Sequence, residues 1–286
     1  MKVIVISGRS GSGKSTALHV LEDAGFNCID NFPVALLPAL IENIRQDPSQ
    51  ANQELAVSID ARNSAHDLER FPEILLTLDK PDVHFEIIYL DALGPTLVKR
   101  FSETRRRHPL TDATTDLRQA IEAERGVLAN IADIADLNID TTRLSAADLT
   151  DTIRQRVTLR DQSNMSLLFR SFGYKYGVPV DGDMVFDTRC LPNPHWEPEL
   201  RKLTGRDQPV IDYLESQSDV SEMYADIHGY LANWLPRFAA NHRVYMTVAI
   251  GCTGGRHRSV YMAERLGAQF VRDNDNVLVR HRELEF

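Results

Sequence analysis

Cysteine is scarce in this chain and long apolar runs are missing. The three cysteines, Cys28, Cys190 and Cys252, are far apart in 286 residues, form no CxxC pair and match no zinc-ligand spacing. This argues against a disulfide scaffold and fits a reduced, cytoplasmic protein. No window approaches the roughly 18 apolar residues that a membrane-crossing helix needs, so no membrane association is expected. Met1 leads straight into a strand-like run, which is not the pattern of a secretory leader. Positive charge is also short. Lys and Arg number 32 against 41 Asp and Glu, a net charge of −9, which disfavours adhesion of the whole surface to a nucleic-acid backbone but allows a local basic patch. Repeats and low-complexity tails are lacking. What remains is ordinary globular material, 43% hydrophobic and 26% charged, long enough for two domains.

The first half alternates short apolar runs with helical patterns. "KVIVISG", "FNCID", "ELAVSID", "HFEIIYLDA" and "LNIDTT" read as strands. Helices are expected from Lys14 to about Ala24, from about Val34, around His66 to Leu78, into "KRFSETRRRHPL", and over Thr115 to Ala135. "LSAADLTDTIRQRV" should form a last amphipathic helix with Ser145 as its N-cap. Strand–helix–strand units at this spacing imply right-handed crossovers and a parallel sheet. The pattern turns polar between Thr158 and Asn164, which divides the chain into residues 1–158 and 164–286. The second half reads as a smaller α/β unit. It has strands in "MSLLFRSFG", "MVFD" and "RVYMTVAIG", a helical stretch from Gln208 to Asn241, and a closing helix "SVYMAERLGAQF".

Gly8, Gly13, Lys14 and Ser15 satisfy GxxxxGK followed by Ser, directly after a strand and at a helix start. In that context Gly8, Arg9, Ser10, Gly11, Ser12, Gly13, Lys14 and Ser15 form a loop whose amides face phosphates. The helix N-terminus adds partial positive charge. Lys14 would bridge the β- and γ-phosphates and Ser15 would hold Mg²⁺. Positioning that ion calls for a carboxylate at a strand end. Asp30, Asp60 and Asp91 all qualify, and Asp60 is preferred because Arg62 and Asn63 stand beside it. The run Arg105, Arg106, Arg107, His108, reinforced by Arg100, lies between two helices, where arginine forks could stabilise a transferring phosphoryl group. The same run would also serve as a plain solvated charge cluster.

A second glycine-rich turn, "GCTGGRHRS", follows the strand "RVYMTVAI" near the C-terminus. Cys252 and Arg258 stand in a C-x5-R-S arrangement like that of cysteine-dependent phosphatases. Glycine occupies position 251, where those enzymes usually place histidine, and no general acid can be assigned. The expectation is a non-catalytic anion site: donors from Thr253, Gly254 and Gly255, charge from Arg256 and Arg258. Asp187 and His195 nearby could meet a sugar hydroxyl or an amine.

The blocks "GRSGSGKST", "CIDNFP", "ETRRRHPL", "SFGYKYGVP", "FDTRCLPNPHW" and "GCTGGRHRSV" occur in the order that marks the RapZ/YvcJ family. The chain resembles that family from end to end. The resemblance implies binding and hydrolysis of ATP and GTP, with ATP at Gly8 to Ser15 and GTP at Asp60, Ala61, Arg62 and Asn63. It also implies a homo-oligomer and a C-terminal site for glucosamine-6-phosphate at Asp187, His195, Thr253, Gly254 and Arg258. Enteric members present a small RNA to RNase E. Their basic tail is replaced here by "VRDNDNVLVRHRELEF", with Asp273, Asp275, Glu283 and Glu285 among the remaining cations. The nucleotide-binding sensor is therefore the leading expectation, with an RNA adapter and a small-molecule kinase as alternatives.

Overall fold

The computed structural model describes residues 1–46, 54–78, 80–104, 107–111, 114–160 and 164–284. It divides into two compact units, Met1–Leu159 and Arg160–Phe286.

The first unit is a parallel sheet. Its strands are β1 (Lys2–Gly8), β2 (Asn27–Ile29), β3 (Leu55–Ile59), β4 (His84–Asp91) and β5 (Leu137–Asp140), in the order β2-β3-β1-β4-β5. Val3, Ile4, Val5 and Ile6 are all fully buried, as expected for a strand covered on both faces. The helices are α1 (Lys14–Asp23), α2 (Leu37–Gln46), α3 (Ala65–Glu69), α4 (Phe71–Leu78), α5 (Gly94–Thr104), α6 (Leu117–Val127), α7 (Ala129–Asp133) and α8 (Ala146–Ile153). Ser145 caps α8 through a reciprocal capping box with Asp148. After β1 the chain runs out to β2, returns through β3, and crosses β1 to reach β4. The carboxyl end of β1 is thus a topological switch point, where open α/β sheets form their ligand crevice.

Two long helices expected in this unit are each broken in two. The break at Leu128 separates Ile121, which packs with Leu97 and Phe101, from Ile131, which packs with Leu128 and Phe71 in the main core. One straight helix could not face both clusters. The helix expected over 66–78 is interrupted at Arg70, so that Leu68 and Phe71 both reach that main core.

The second unit holds β6 (Ser166–Gly173), β7 (Met184–Asp187), β8 (Tyr245–Cys252) and β9 (Val277–His281), parallel and ordered β7-β8-β6-β9. This repeats the order of the first four strands of the other sheet. Helices α9 (Gln208–Glu215), α10 (Ser218–Ala240) and α11 (Arg258–Phe270) complete it, with Gln217 in extended conformation between α9 and α10. Strand β9 was not expected from sequence. Its signal is the turn "DNDN" followed by "VLVRH", and it pairs with β6 over Leu167 to Ser171. No helix among the described residues is long and apolar enough to cross a membrane.

Candidate functional site

At the end of β1 the backbone needs glycine. Gly8, Gly11 and Gly13 have φ of 140°, 85° and 109°. A Cβ on Gly8 would lie 2.0 Å from the Leu90 carbonyl oxygen of β4, and one on Gly13 would lie 2.5 Å from Leu149 of α8. The loop then enters α1 with Gly13 as N-cap, and no side chain among the described residues caps the helix. The Lys14 ammonium curls back over the loop and donates to the Gly8 carbonyl at 2.6 Å. Burial pushes its pKa below the ordinary lysine value, against the opposing charges of Glu124 and Asp60.

The loop opens on a cavity of about 970 Å³. Its walls include the backbone and side chains from Ser10 to Thr16, the strand ends at Asp30 and Asp60, and Arg100 and Arg107. The Ser12 hydroxyl is buried here and finds no partner among the described residues. Leu144, Ala146 and Leu149 add an apolar wall.

The structure separates the three strand-end carboxylates. Asp60 is buried at the end of β3, faces the cavity, and accepts the Arg62 amide at 2.9 Å. Asp30 also reaches the cavity, and its carboxylate accepts the Ser58 hydroxyl and the Asn31 amide. Asp91 does not line it. Its carboxylate is paired with Arg9 at 2.6 Å, and Arg9 also donates to the Ala92 carbonyl. Arg9 thus braces the loop against β4 from behind.

The segment 60–63 divides in the same way. Ala61 and Arg62 line the cavity that the phosphate loop lines. Asn63 does not line it. Its side chain accepts the Val34 amide at 2.8 Å and donates to the carbonyls of Phe32 and Asp60, pinning the turn after β2 to the end of β3. Arg105 and Arg106 lie outside the described residues, while Arg107 of the same run faces the cavity.

Sequence reasoning missed two of the three groups that hold the loop in place, Glu124 and Thr141. Glu124 of α6 is fully buried and accepts both the amide and the hydroxyl of Ser10, at 2.8 and 2.7 Å. Thr141 donates to the Ser12 carbonyl at 2.9 Å, and Arg100 donates to the Gly11 carbonyl at 3.0 Å. These partners come from positions 89 to 129 residues away, so no local pattern announces them.

In the second unit the loop after β8 is built around Cys252. The thiol is buried, accepts the Gly255 amide at 3.2 Å, and lies 3.1 Å from the Ser259 hydroxyl. Gly255 has φ of 70°, and a Cβ there would meet Glu283 and Gly173 at 2.4 and 2.6 Å. Glu283, expected as part of an acidified tail, is thus packed against the loop and accepts the Gly173 amide at 3.0 Å. Arg258 is buried. It donates to the carbonyls of Arg189 and Leu191 at 2.8 Å each and to the Thr253 hydroxyl at 3.4 Å, while its Nε has no partner among the described residues.

Arg258 therefore joins the loop to the segment after Asp187. The Asp187 carboxylate is held by Arg189, whose bonds keep its pKa below the usual carboxylate value despite partial burial. Asp187 also lines a second cavity, of about 510 Å³, with Asp219, Glu222 and Asp226 of α10 and with Phe186 and Tyr230. His195 is exposed, in a short 3-10 turn, with its ring 6.4 Å from that of His257. Thr253 and Arg256 are exposed, and Gly254 is half-buried with open space beside its Cα.

These features define the class: a parallel α/β unit with a glycine-rich loop between strand and helix, followed by a second parallel unit with an arginine-backed glycine loop. The RapZ-like N-terminal domain matches residues 1–161, and the RapZ C-terminal domain matches residues 165–285. The chain belongs to the RapZ family. It is 56% identical to a nucleotide-binding protein of Pseudomonas putida over 284 residues, covering 99% of this chain and 100% of the relative. A nucleotide-binding protein of Cellvibrio japonicus is 54% identical over 99% of this chain and 95% of its own length. Among solved structures, a sugar kinase from a Janibacter species covers 54% of this chain and 92% of its own, with TM-score 0.36 and 18% identity. Shikimate kinase from Bacteroides thetaiotaomicron covers 55% and 98%, with TM-score 0.35 and 12% identity.

Proposed function

We propose that the first unit binds a purine nucleoside triphosphate with Mg²⁺ and hydrolyses it slowly, and that the second unit senses a phosphorylated metabolite. The carrying observation is the convergence on one cavity of the loop from Ser10 to Ser15, the Asp60 carboxylate and the Arg62 and Arg107 side chains. The loop amides and the N-terminus of α1 would take the phosphates. Lys14 would exchange the Gly8 carbonyl for β- and γ-phosphate oxygens. Ser15 and Asp60 fit a Mg²⁺ ion that draws its other ligands from phosphate and water. Among the described residues no group of three or more His, Cys, Asp or Glu would hold a metal alone. The names of the Pseudomonas and Cellvibrio relatives agree with this reading.

ATP and GTP share this cavity. Asp60, Ala61 and Arg62, the segment implied for GTP, are walls of the space that the ATP loop lines, so the two nucleotides compete. In the second unit, Thr253, Gly254 and the buried Arg258 suit a phosphate, and the acidic groove of Asp187, Asp219, Glu222 and Asp226 suits an amine. An amino-sugar phosphate carries both groups.

The test compares nucleotide binding and hydrolysis by the wild type and Lys14→Ala. Removing two charge-assisted contacts at about 1.5–3 kcal/mol each predicts a loss of affinity of about 100-fold or more. GTP should displace a bound ATP analogue competitively. Equal affinity and turnover in Lys14→Ala would defeat the proposal.

A further inference from the structure

The nucleotide cavity has a buried brace that reaches it from two directions. Glu124 projects from α6 with its side chain fully buried. Both its oxygens bond Ser10 of the phosphate loop, one through the hydroxyl and one through the amide. The oxygen on the Ser10 amide also meets His108 Nε2 at 3.0 Å. The Leu110 amide donates to His108 Nδ1 at 3.1 Å, so a neutral ring carries its proton on Nε2 and donates to Glu124. The ring packs on Phe101, with centroids 5.1 Å apart. His108 also anchors the turn to Thr111 through its carbonyl, and Arg107 donates to the Thr111 carbonyl at 2.8 Å.

One carboxylate therefore holds the phosphate loop and the short segment that carries Arg107 into the same cavity. A hydrophobic side chain would fill this position at less desolvation cost if packing were its only role. Burial alone would raise the Glu124 pKa, but the bonds from His108 and Ser10 and the charge of Lys14 outweigh it and hold the group below its usual value.

We propose that Glu124 is a positioning residue that couples Arg107 to the bound nucleotide by fixing the Ser10 side of the phosphate loop and the His108 turn to a single carboxylate. The proposal rests on the nucleotide reading of this cavity. With the brace intact, Arg107 meets the phosphates in a set geometry. With it broken, the loop still forms but Arg107 contributes little.

A double-mutant cycle on the full chain tests it, using Glu124→Gln, Arg107→Ala and the pair, with nucleotide affinity and turnover measured separately. Glutamine keeps the size but places an N–H donor against Ser10 or His108. We expect Arg107→Ala to slow turnover about tenfold or more in the wild type and less than twofold in Glu124→Gln, with affinity changing less than turnover. Additivity within about twofold, the limit for independent sites, would overturn the proposal even if Glu124→Gln were destabilised. If Glu124→Gln does not fold, His108→Ala opens only the segment arm and carries the same cycle. Lys14→Ala separates the two failures. Unchanged binding in Lys14→Ala sinks the nucleotide reading, whereas lost binding there with an additive cycle sinks only the coupling.

Discussion

Gly8→Ala asks whether the first glycine of the loop serves its flexibility or its lack of a side chain. Gly8 is the last residue of β1 and pairs with Leu90 of β4. Its φ of 140° is a glycine region, and an alanine there carries roughly 1–3 kcal/mol of strain. Its Cβ would also stand 2.0 Å from the Leu90 oxygen and 2.8 Å from the Leu90 carbonyl carbon. Both are backbone atoms in a paired strand and cannot turn aside like a side chain, so relief requires β1 and β4 to separate locally. Overpacking of this kind costs about 1–3 kcal/mol more. The sum, about 2–6 kcal/mol, is a large part of a typical 5–15 kcal/mol stability. Gly25→Ala is the control, because Gly25 has φ of 96° but nothing within 4 Å of a built Cβ. Urea unfolding of the full chain should show the first unit losing at least 1 kcal/mol more in Gly8→Ala than in Gly25→Ala, with similar slopes. Equal midpoints would refute the close-approach argument.

Two further outcomes follow from the geometry. Asn63→Ala removes two bonds that tie the turn after β2 to the end of β3 and one within the turn after β3, and should destabilise the first unit by about 1–3 kcal/mol in thermal melts while lowering nucleotide affinity less than tenfold. Glu264 is bonded to His281 and Arg206. Burial raises its pKa, but those bonds prevail and hold it below the usual carboxylate value. The pair's stability is therefore fully present above the unfolded pKa of about 4.3 and disappears as pH falls through the lower folded pKa. Glu264→Gln should flatten that acid limb in pH-dependent melts of the second unit, and an unchanged limb would count against the linkage.

The glycine-rich loop between β1 and α1 was legible because all its parts are local. The strand "KVIVISG", the three glycines and Lys14 with Ser15 are contiguous, so spacing alone implies a turn of amides at a helix start. The cap at Ser145 was legible for the same reason, since its partner Asp148 is three residues on. Alternation of strands and helices also carried the parallel sheets. Strand β9 was obscured because it is an edge strand with four of its five residues partly exposed, and "VLVRHRE" looks like a charged tail until β6 stands beside it.

Choosing among Asp30, Asp60 and Asp91 could not be done in one dimension, since each ends an apolar run. The folded chain sets only one of them apart: Asp30 and Asp60 both line the cavity, whereas Asp91 at the end of β4 is paired with Arg9. Asn63 and Glu283 look like ligand and surface residues in sequence, and become struts once β2, β6 and the C-terminal loop are brought together. Glu124 is the extreme case, a helix glutamate 114 residues from the serine it holds. Local backbone chemistry and hydrophobic period are written in neighbouring residues, and from them the two α/β units and the glycine loop at the end of β1 follow. Which carboxylates face a ligand and which brace the walls depends on contacts between distant strands and helices, and only the folded chain supplies those.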